Sequence, residues 1–178
     1  KEEYKDKTEE ELFKSYLLNG AMPGVHALNE TVGTRKSYLQ DIYNSILLKD
    51  VVQCNKLRDI SHIDRIMQFI MENVGSTFSP KAIKDYVKEQ GVTISVDTVY
   101  SFLEALMGAY LIYRVPRYDI KNDKLLETQE KYYICDFGMK NAVMGKLPQN
   151  YEAELENVLY LELLSRGFKV YVGKQGRY

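Results

Sequence analysis

The side chains able to do chemistry are few and scattered. There are two histidines, His26 and His62, and two cysteines, Cys54 and Cys135. None stands at metal-ligand spacing, and no nucleophile–base pair follows from their order. The histidines read as surface or capping residues, and the cysteines as free thiols of a reducing compartment. Asp50, Asp59 and Asp136 fall at element ends, where carboxylates cap or pair. Neither a GxxxxGK[ST] nor a GxGxxG phosphate loop is present, and Gly24, Gly33 and Gly75 are isolated turn glycines. The candidate ligand-touching residues are instead cationic. Lys81, Lys84 and Lys88 form one set, and Arg114, Arg117, Lys121 and Lys124 a second. Both suit contacts to a nucleic-acid backbone. Asp85, Glu89, Asp119 and Asp123 are interleaved with them, so the same residues also read as a solvated charged face.

The elements that must hold these side chains carry clear signals. Thr8-Glu9-Glu10-Glu11 is a capping box, followed by apolar Leu12, Phe13, Tyr16 and Leu17 and a stop at Asn19-Gly20. Met22-Pro23-Gly24 predicts a turn. A second helix is predicted from Thr34 to the Lys49–Val52 region, with Tyr38, Leu39, Ile42, Tyr43, Ile46 and Leu47 at helical spacing. A third follows Ser61, with Ile63, Ile66, Met67, Ile70, Met71 and Val74 on one face and Gly75 closing it. Ser79-Pro80 starts a fourth, which Gly91 ends. Ser95 caps a fifth, whose buried side holds Val96, Val99, Phe102, Leu103, Leu106 and Tyr110. Two strands, Leu111 to Tyr118 and Lys131 to Cys135, are joined by a long polar tip from Asp119 to Glu130. Phe137-Gly138 reads as a chain break and Gly145 to Tyr151 as a loop. A helix over 155–166 and a strand over 168–172 complete the pattern.

Three helices and a hairpin in this order predict a winged helix-turn-helix over residues 61–137. Ile66, Ile70, Val99, Leu103 and Leu106 are its expected shared core. The fold class is accordingly α+β and mainly helical: a helical connector (1–60), the winged helix (61–137) and a partial α/β unit (138–178). The recognition helix, 96–109, is expected to turn Asp97, Thr98, Ser101, Glu104 and Ala105 outward. No Lys or Arg lies between Ser95 and Tyr113. Base readout relies on Arg, Lys, Asn and Gln, so sequence-specific binding is not expected. Tyr110, Tyr113, Tyr118, Tyr132 and Tyr133 gather around the wing, as a partner surface or as a core with its hydroxyls at the rim.

Composition bounds the function further. The chain has 178 residues, 45% hydrophobic, with 24 Lys and Arg against 25 Asp and Glu and a net charge of −1. A globally basic nucleic-acid binder is excluded, though a local patch is not. The charged start Lys1-Glu2-Glu3 is no signal peptide, and no apolar run approaches the roughly 18 residues of a membrane span. A cytoplasmic protein without membrane contact is expected. The chain lacks an initiating Met, and Val170 to Lys174 reads as a strand with nothing to pair against. Together these predict a piece of a longer protein.

Several segments resemble one family. Tyr16-Leu17-Leu18-Asn19-Gly20-Ala21-Met22-Pro23-Gly24-Val25, with Tyr38-Leu39 and Leu48-Lys49-Asp50-Val51, is similar to the segment after the ATPase core in a large prokaryotic family of AAA-type P-loop ATPases. Phe78-Ser79, Thr98-Val99 and Leu103-Glu104 resemble its winged-helix portion. Lys131 to Met139 resembles the passage beyond. Glu156 to Leu163, followed by Arg166-Gly167-Phe168-Lys169-Val170-Tyr171, resembles the start of a C-terminal domain of uncharacterised function with a restriction-endonuclease-like fold. The resemblance implies a preceding ATPase domain that binds ATP and Mg²⁺, and a chain that itself holds no cofactor. It also implies an acidic residue on the first helix of the nuclease-like unit, and Glu156 occupies that position. The strand-borne Asp and Glu-x-Lys of such a site have no counterpart here. The expected role is therefore a non-enzymatic recognition or coupling module for a protein or nucleic-acid partner. The rivals are part of a metal-dependent nuclease whose site lies beyond residue 178, and a plain winged-helix DNA-binding regulator. Glu156 is alternatively a first-turn carboxylate favoured by the helix dipole.

Overall fold

The computed structural model describes residues 7–28, 32–55, 57, 59–145 and 151–174. The fold is mixed α+β and mainly helical, with a small sheet that is antiparallel apart from one pair. Contacts divide the chain into two compact units, Lys1–Ser45 with Asp136–Tyr151 and Ile46–Cys135 with Glu152–Tyr178. These boundaries differ from the segments 1–60, 61–137 and 138–178, because the stretch from Asp136 folds with the N-terminal helices.

In the first unit, α1 (Glu9–Asn19) opens on the expected capping box. The Thr8 hydroxyl accepts from the Glu11 amide at 3.3 Å, and the Glu11 carboxylate accepts from the Thr8 amide at 2.8 Å. Gly20 ends the helix at a positive φ of 76°. A 3₁₀ turn, Pro23–Ala27, and α2 (Val32–Ile46) follow. The break expected at Phe137-Gly138 is instead the start of a helix, α6 (Phe137–Met144). Asp136 caps it through the Met139 amide at 2.8 Å and also accepts from the Ala21 amide at 2.7 Å. Asn141 donates to the terminal carbonyls of α1, Leu17 O at 3.1 Å and Leu18 O at 3.0 Å. These carbonyls have no partner within their own helix, so α6 satisfies what α1 leaves open. Val25, Leu39 and Ala142 form a small core, flanked by Met22 and Tyr38.

The second unit opens on a π-helical stretch, Leu47–Gln53. It continues through α3 (Ile60–Glu72), β1 (Thr77–Phe78), α4 (Pro80–Glu89), α5 (Val96–Gly108), β2 (Ile112–Asp119), β3 (Lys124–Ile134), α7 (Tyr151–Ser165, counted with this unit from Glu152) and β4 (Val172–Lys174). Ser79 and Ser95 cap α4 and α5, accepting from Ala82 at 3.2 Å and Thr98 at 3.0 Å. Gly75 and Gly91 leave α3 and α4 at φ 75° and 82°, where only glycine is unstrained. Ile66, Ile70, Val99, Leu103 and Leu106 are buried as expected, joined by Ile63, Met67, Ile83 and Val87. Phe69, Phe78 and Tyr132 close one end of this core, with ring centroids 5.1 Å and 5.0 Å apart along the series.

The sheet order is β1-β3-β2-β4. β3 starts at Lys124, seven residues before the expected Lys131, and the tip shrinks to residues 120–123. Leu125 and Leu126 pair with Tyr118 and Arg117, so the polar stretch is a solvated ladder and not a loop. The register shifts around Pro116, which has no N–H to give, and Gln129 across the bulge adopts a positive φ of 58°. The C-terminal strand lies later than expected and is not alone. Val172, Gly173 and Lys174 pair in parallel with Arg117, Tyr118 and Asp119. Local pattern cannot reveal that partner, because it lies some 55 residues earlier in the chain.

Candidate nucleic-acid interface

On α4, Ile83 and Val87 point into the core, and Lys81, Lys84 and Lys88 at i, i+3 and i+7 share the outer side. Lys81 and Lys88 are exposed, and Lys84 is half-buried. The second cationic set divides along the hairpin. Arg114 Nε lies 3.8 Å from Glu130, whose carboxylate also accepts from the Tyr132 hydroxyl at 3.0 Å. Arg117 donates to Gln129 at 2.8 Å. Lys121 and Lys124 stand exposed at the tip. The hairpin thus gathers Arg117, Lys121 and Lys124 near one end. The α4 lysines form a separate row.

On α5, Asp97, Ser101 and Glu104 are exposed and Thr98 is half-buried. Ala105, expected outward, is buried, because α5 meets the π-helical stretch, α3, α4 and β2 and so has more than one buried flank. Tyr100 takes its place on the open side. The acids Asp97 and Glu104 would repel phosphates from this face. Tyr110 follows the helix at φ 58° and is 71% exposed, so it belongs to neither the core nor its rim. Tyr132 and Tyr133 are buried, while Tyr113 and Tyr118 are half-buried.

Glu156 sits in the second turn of α7, since that helix begins four residues before the expected start. The first-turn acids are Glu152 and Glu154, so the dipole role falls to them and not to Glu156. Its Oε1 accepts from the Lys131 ammonium at 2.5 Å, the Tyr133 hydroxyl also donates to it, and Oε2 lies over Gly75. Burial, then that bond to Glu156, raises the Tyr133 hydroxyl above the ordinary tyrosine range. A carboxylate neutralised by an ammonium is a poor metal ligand, and a lone one holds a divalent ion weakly. The residues present therefore do not fit a nuclease metal. Among the described residues no group of three or more His, Cys, Asp or Glu converges on a metal position. Beside Glu156, an open cleft of about 260 Å³ is walled by Val115, Leu159, Tyr160, Leu163 and Tyr171.

His62 lies in the first turn of α3, with Nδ1 3.8 Å from Asp59. Cys54 and Cys135 are not joined in a disulfide, and His26 lies where side chains are not described. One residue escapes sequence reasoning altogether. Asn157 is fully buried, and its carboxamide accepts from Ile134 N at 2.8 Å and donates to Ile134 O at 2.9 Å. β1 has ended at this edge of β3, so the side chain completes the ladder as a strand would. The one signal for it is an Asn in register with Tyr160 and Glu154 on the buried side of α7.

No helix among the described residues is long and apolar enough to cross a membrane. The profile of a family described as "Domain of unknown function (DUF8612)" matches residues 10–150. A protein of Haemophilus influenzae described as uncharacterized is 32% identical over 165 residues, covering 93% of this chain and 41% of that protein. An uncharacterized protein of Methanocaldococcus jannaschii is 28% identical over 153 residues, covering 86% of this chain and 34% of that protein. The chain thus spans less than half the length of either relative. No solved structure matches it.

Proposed function

The chain belongs to the DUF8612 family, whose function is unknown, and on that premise we propose that it is a non-catalytic recognition and coupling module of a longer, AAA-ATPase-like protein, touching duplex DNA weakly through the phosphate backbone. The observation that supports this reading is the element order α3-β1-α4-α5-β2-β3 with β1 paired to β3, an order that a winged helix would have. The lysine row on α4 and the cations of the hairpin supply phosphate contacts, and the acidic face of α5 disfavours a regulator that reads bases. α7 and β4 are then the opening of the nuclease-like unit. In the resemblance, ATP and Mg²⁺ belong to a preceding ATPase domain, whose nucleotide state the helical connector and winged helix relay to the DNA.

Fluorescence anisotropy with unrelated 30-base-pair duplexes tests the binding. Affinity should fall with a log–log salt slope of about −2 to −4, as two to four phosphate contacts require. Lys81→Glu with Lys84→Glu should weaken all duplexes alike. Tight binding that survives high salt and discriminates single base changes would reverse the reading. The engagement of Glu156 by Lys131 favours the non-catalytic module over a nuclease. Incubated with ATP or plasmid DNA and Mg²⁺ or Mn²⁺, the chain should release no phosphate and cut no DNA. Nicking that disappears in Glu156→Ala would restore the nuclease.

A further inference from the structure

Helix α7 has a buried side and, opposite it, an exposed apolar one. Glu154, Asn157 and Tyr160 mark the buried side. Glu152, Leu155, Leu159, Glu162 and Arg166 follow one another at alternating spacings of three and four, and all are exposed along the other side. Leu155 and Leu159 leave 47% and 59% of their surface open where a surface helix carries polar residues. Leu163, half-buried, lies beside them, and with Leu159 it also walls the cleft next to Glu156. Opposite charges close the stripe at its two ends. Glu152 stands before the leucines, and Arg166, bonded to Glu162 one turn back at 2.5 Å, stands after them.

We propose that this stripe is a two-fold interface between two copies of the chain, with their α7 helices packed antiparallel about Leu159. The stripe is its own complement in that pairing. The rise along a helix is constant, so reversal about Leu159 sets Leu159 on the partner's Leu159, Leu155 on the partner's Leu163 and Glu152 on the partner's Arg166. The last two contacts are made twice, as a two-fold axis requires. Parallel helices would instead bring Glu152 against Glu152 and Arg166 against Arg166. Arg166 can serve both carboxylates, since a guanidinium has five N–H donors. The charges also favour a second copy over the rest of a longer chain as the occupant. A face destined for a domain core carries no carboxylate or guanidinium in line with its leucines, whereas an interface between soluble copies has an apolar centre and a polar rim. The inference does not rest on the DNA-binding reading.

The test is sedimentation equilibrium of the full chain from about 1 to 200 μM, the range in which a small interface of this kind dissociates. The mass should rise from monomer to dimer and stop there. Leu159→Glu should stay monomeric throughout. That position is over half exposed, and an unchanged circular-dichroism melt confirms that the variant folds. Glu152→Arg and Arg166→Glu should each weaken the dimer by about tenfold, because each turns two attractive contacts into repulsive ones. The two together should return it to within about threefold of wild type, since the exchange restores both pairs. A monomer at every concentration overturns the proposal, as does a dimer that Leu159→Glu leaves intact or that the charge exchange fails to restore. Growth beyond a dimer also overturns it, because a two-fold contact closes.

Discussion

Gly138 and Gly108 are both helical glycines, and substitution should act on them in opposite directions. A Cβ on Gly138 would overlap the carbonyl of Asn19, whereas a Cβ on Gly108 meets nothing within 4 Å. Gly138→Ala must push backbone aside, a cost of about 1–3 kcal/mol or more. Gly108→Ala removes unfolded-state freedom without strain and should stabilise by about 0.5–1 kcal/mol. Urea melts of the two variants check the pair of signs. Tyr132 and Tyr133 carry a second prediction at this scale. Burial, reinforced by Glu130 and Glu156 respectively, raises both hydroxyls above the ordinary tyrosine range. Below about pH 10 both are protonated in the folded and the unfolded chain, and their contribution is fully present. Above it the unfolded tyrosines ionise first, so stability falls as pH rises. Urea midpoints followed from pH 8 to 11 should drop steeply in the wild type and less steeply in Tyr133→Phe.

Helices α3, α4 and α5 are legible in the amino-acid sequence, because their signals are local. A serine cap, a proline at the first turn, apolar residues at 3.6 spacing and a terminal glycine all sit within one element. Leu103, buried at the centre of that group, should cost about 2–5 kcal/mol on truncation to Ala, read from the shift of the urea midpoint. Elements stabilised from afar are not legible. α6 depends on Asp136 reaching Ala21, the outer half of β3 on its pairing with β2, and β4 on the free edge of Arg117 to Asp119. The candidate interface divides the same way. Its lysines follow from spacing on one helix, whereas the Arg114–Glu130 and Lys131–Glu156 pairs require the sheet register and the position of α7. That position is fixed by Asn157, whose two bonds to the N–H and C=O of one buried residue, Ile134, make it a sensitive joint. Asn157→Leu leaves a buried N–H and C=O without partners and should cost about 2–4 kcal/mol. In hydrogen exchange the Ile134 amide should lose protection first.

At the scale of the whole molecule, each compact unit is assembled from two separate stretches of chain. The first unit needs α6 to cap the carbonyls of α1 and to complete the core around Val25 and Leu39. A chain stopped after Cys135 should therefore lose amide protection throughout α1 and α2. The buried amides of α3 and α5 should keep more of theirs, and hydrogen exchange on the shortened chain reads both. Persistent protection in α1 would mean that the N-terminal helices stand without α6.

This interleaving has a consequence for how the protein is made. On a ribosome the two halves of the first unit emerge roughly 90 residues apart. At ordinary elongation speeds that is a wait of about 5–20 s. During it the N-terminal helices are outside the exit tunnel with their terminal carbonyls and apolar faces uncovered. All of the second unit's first stretch, Ile46–Cys135, is translated in the interval. The nascent chain thus carries an earlier, unfinished segment past a later one that can begin to collapse, and within this stretch a chaperone would find its longest-lived target in α1 and α2.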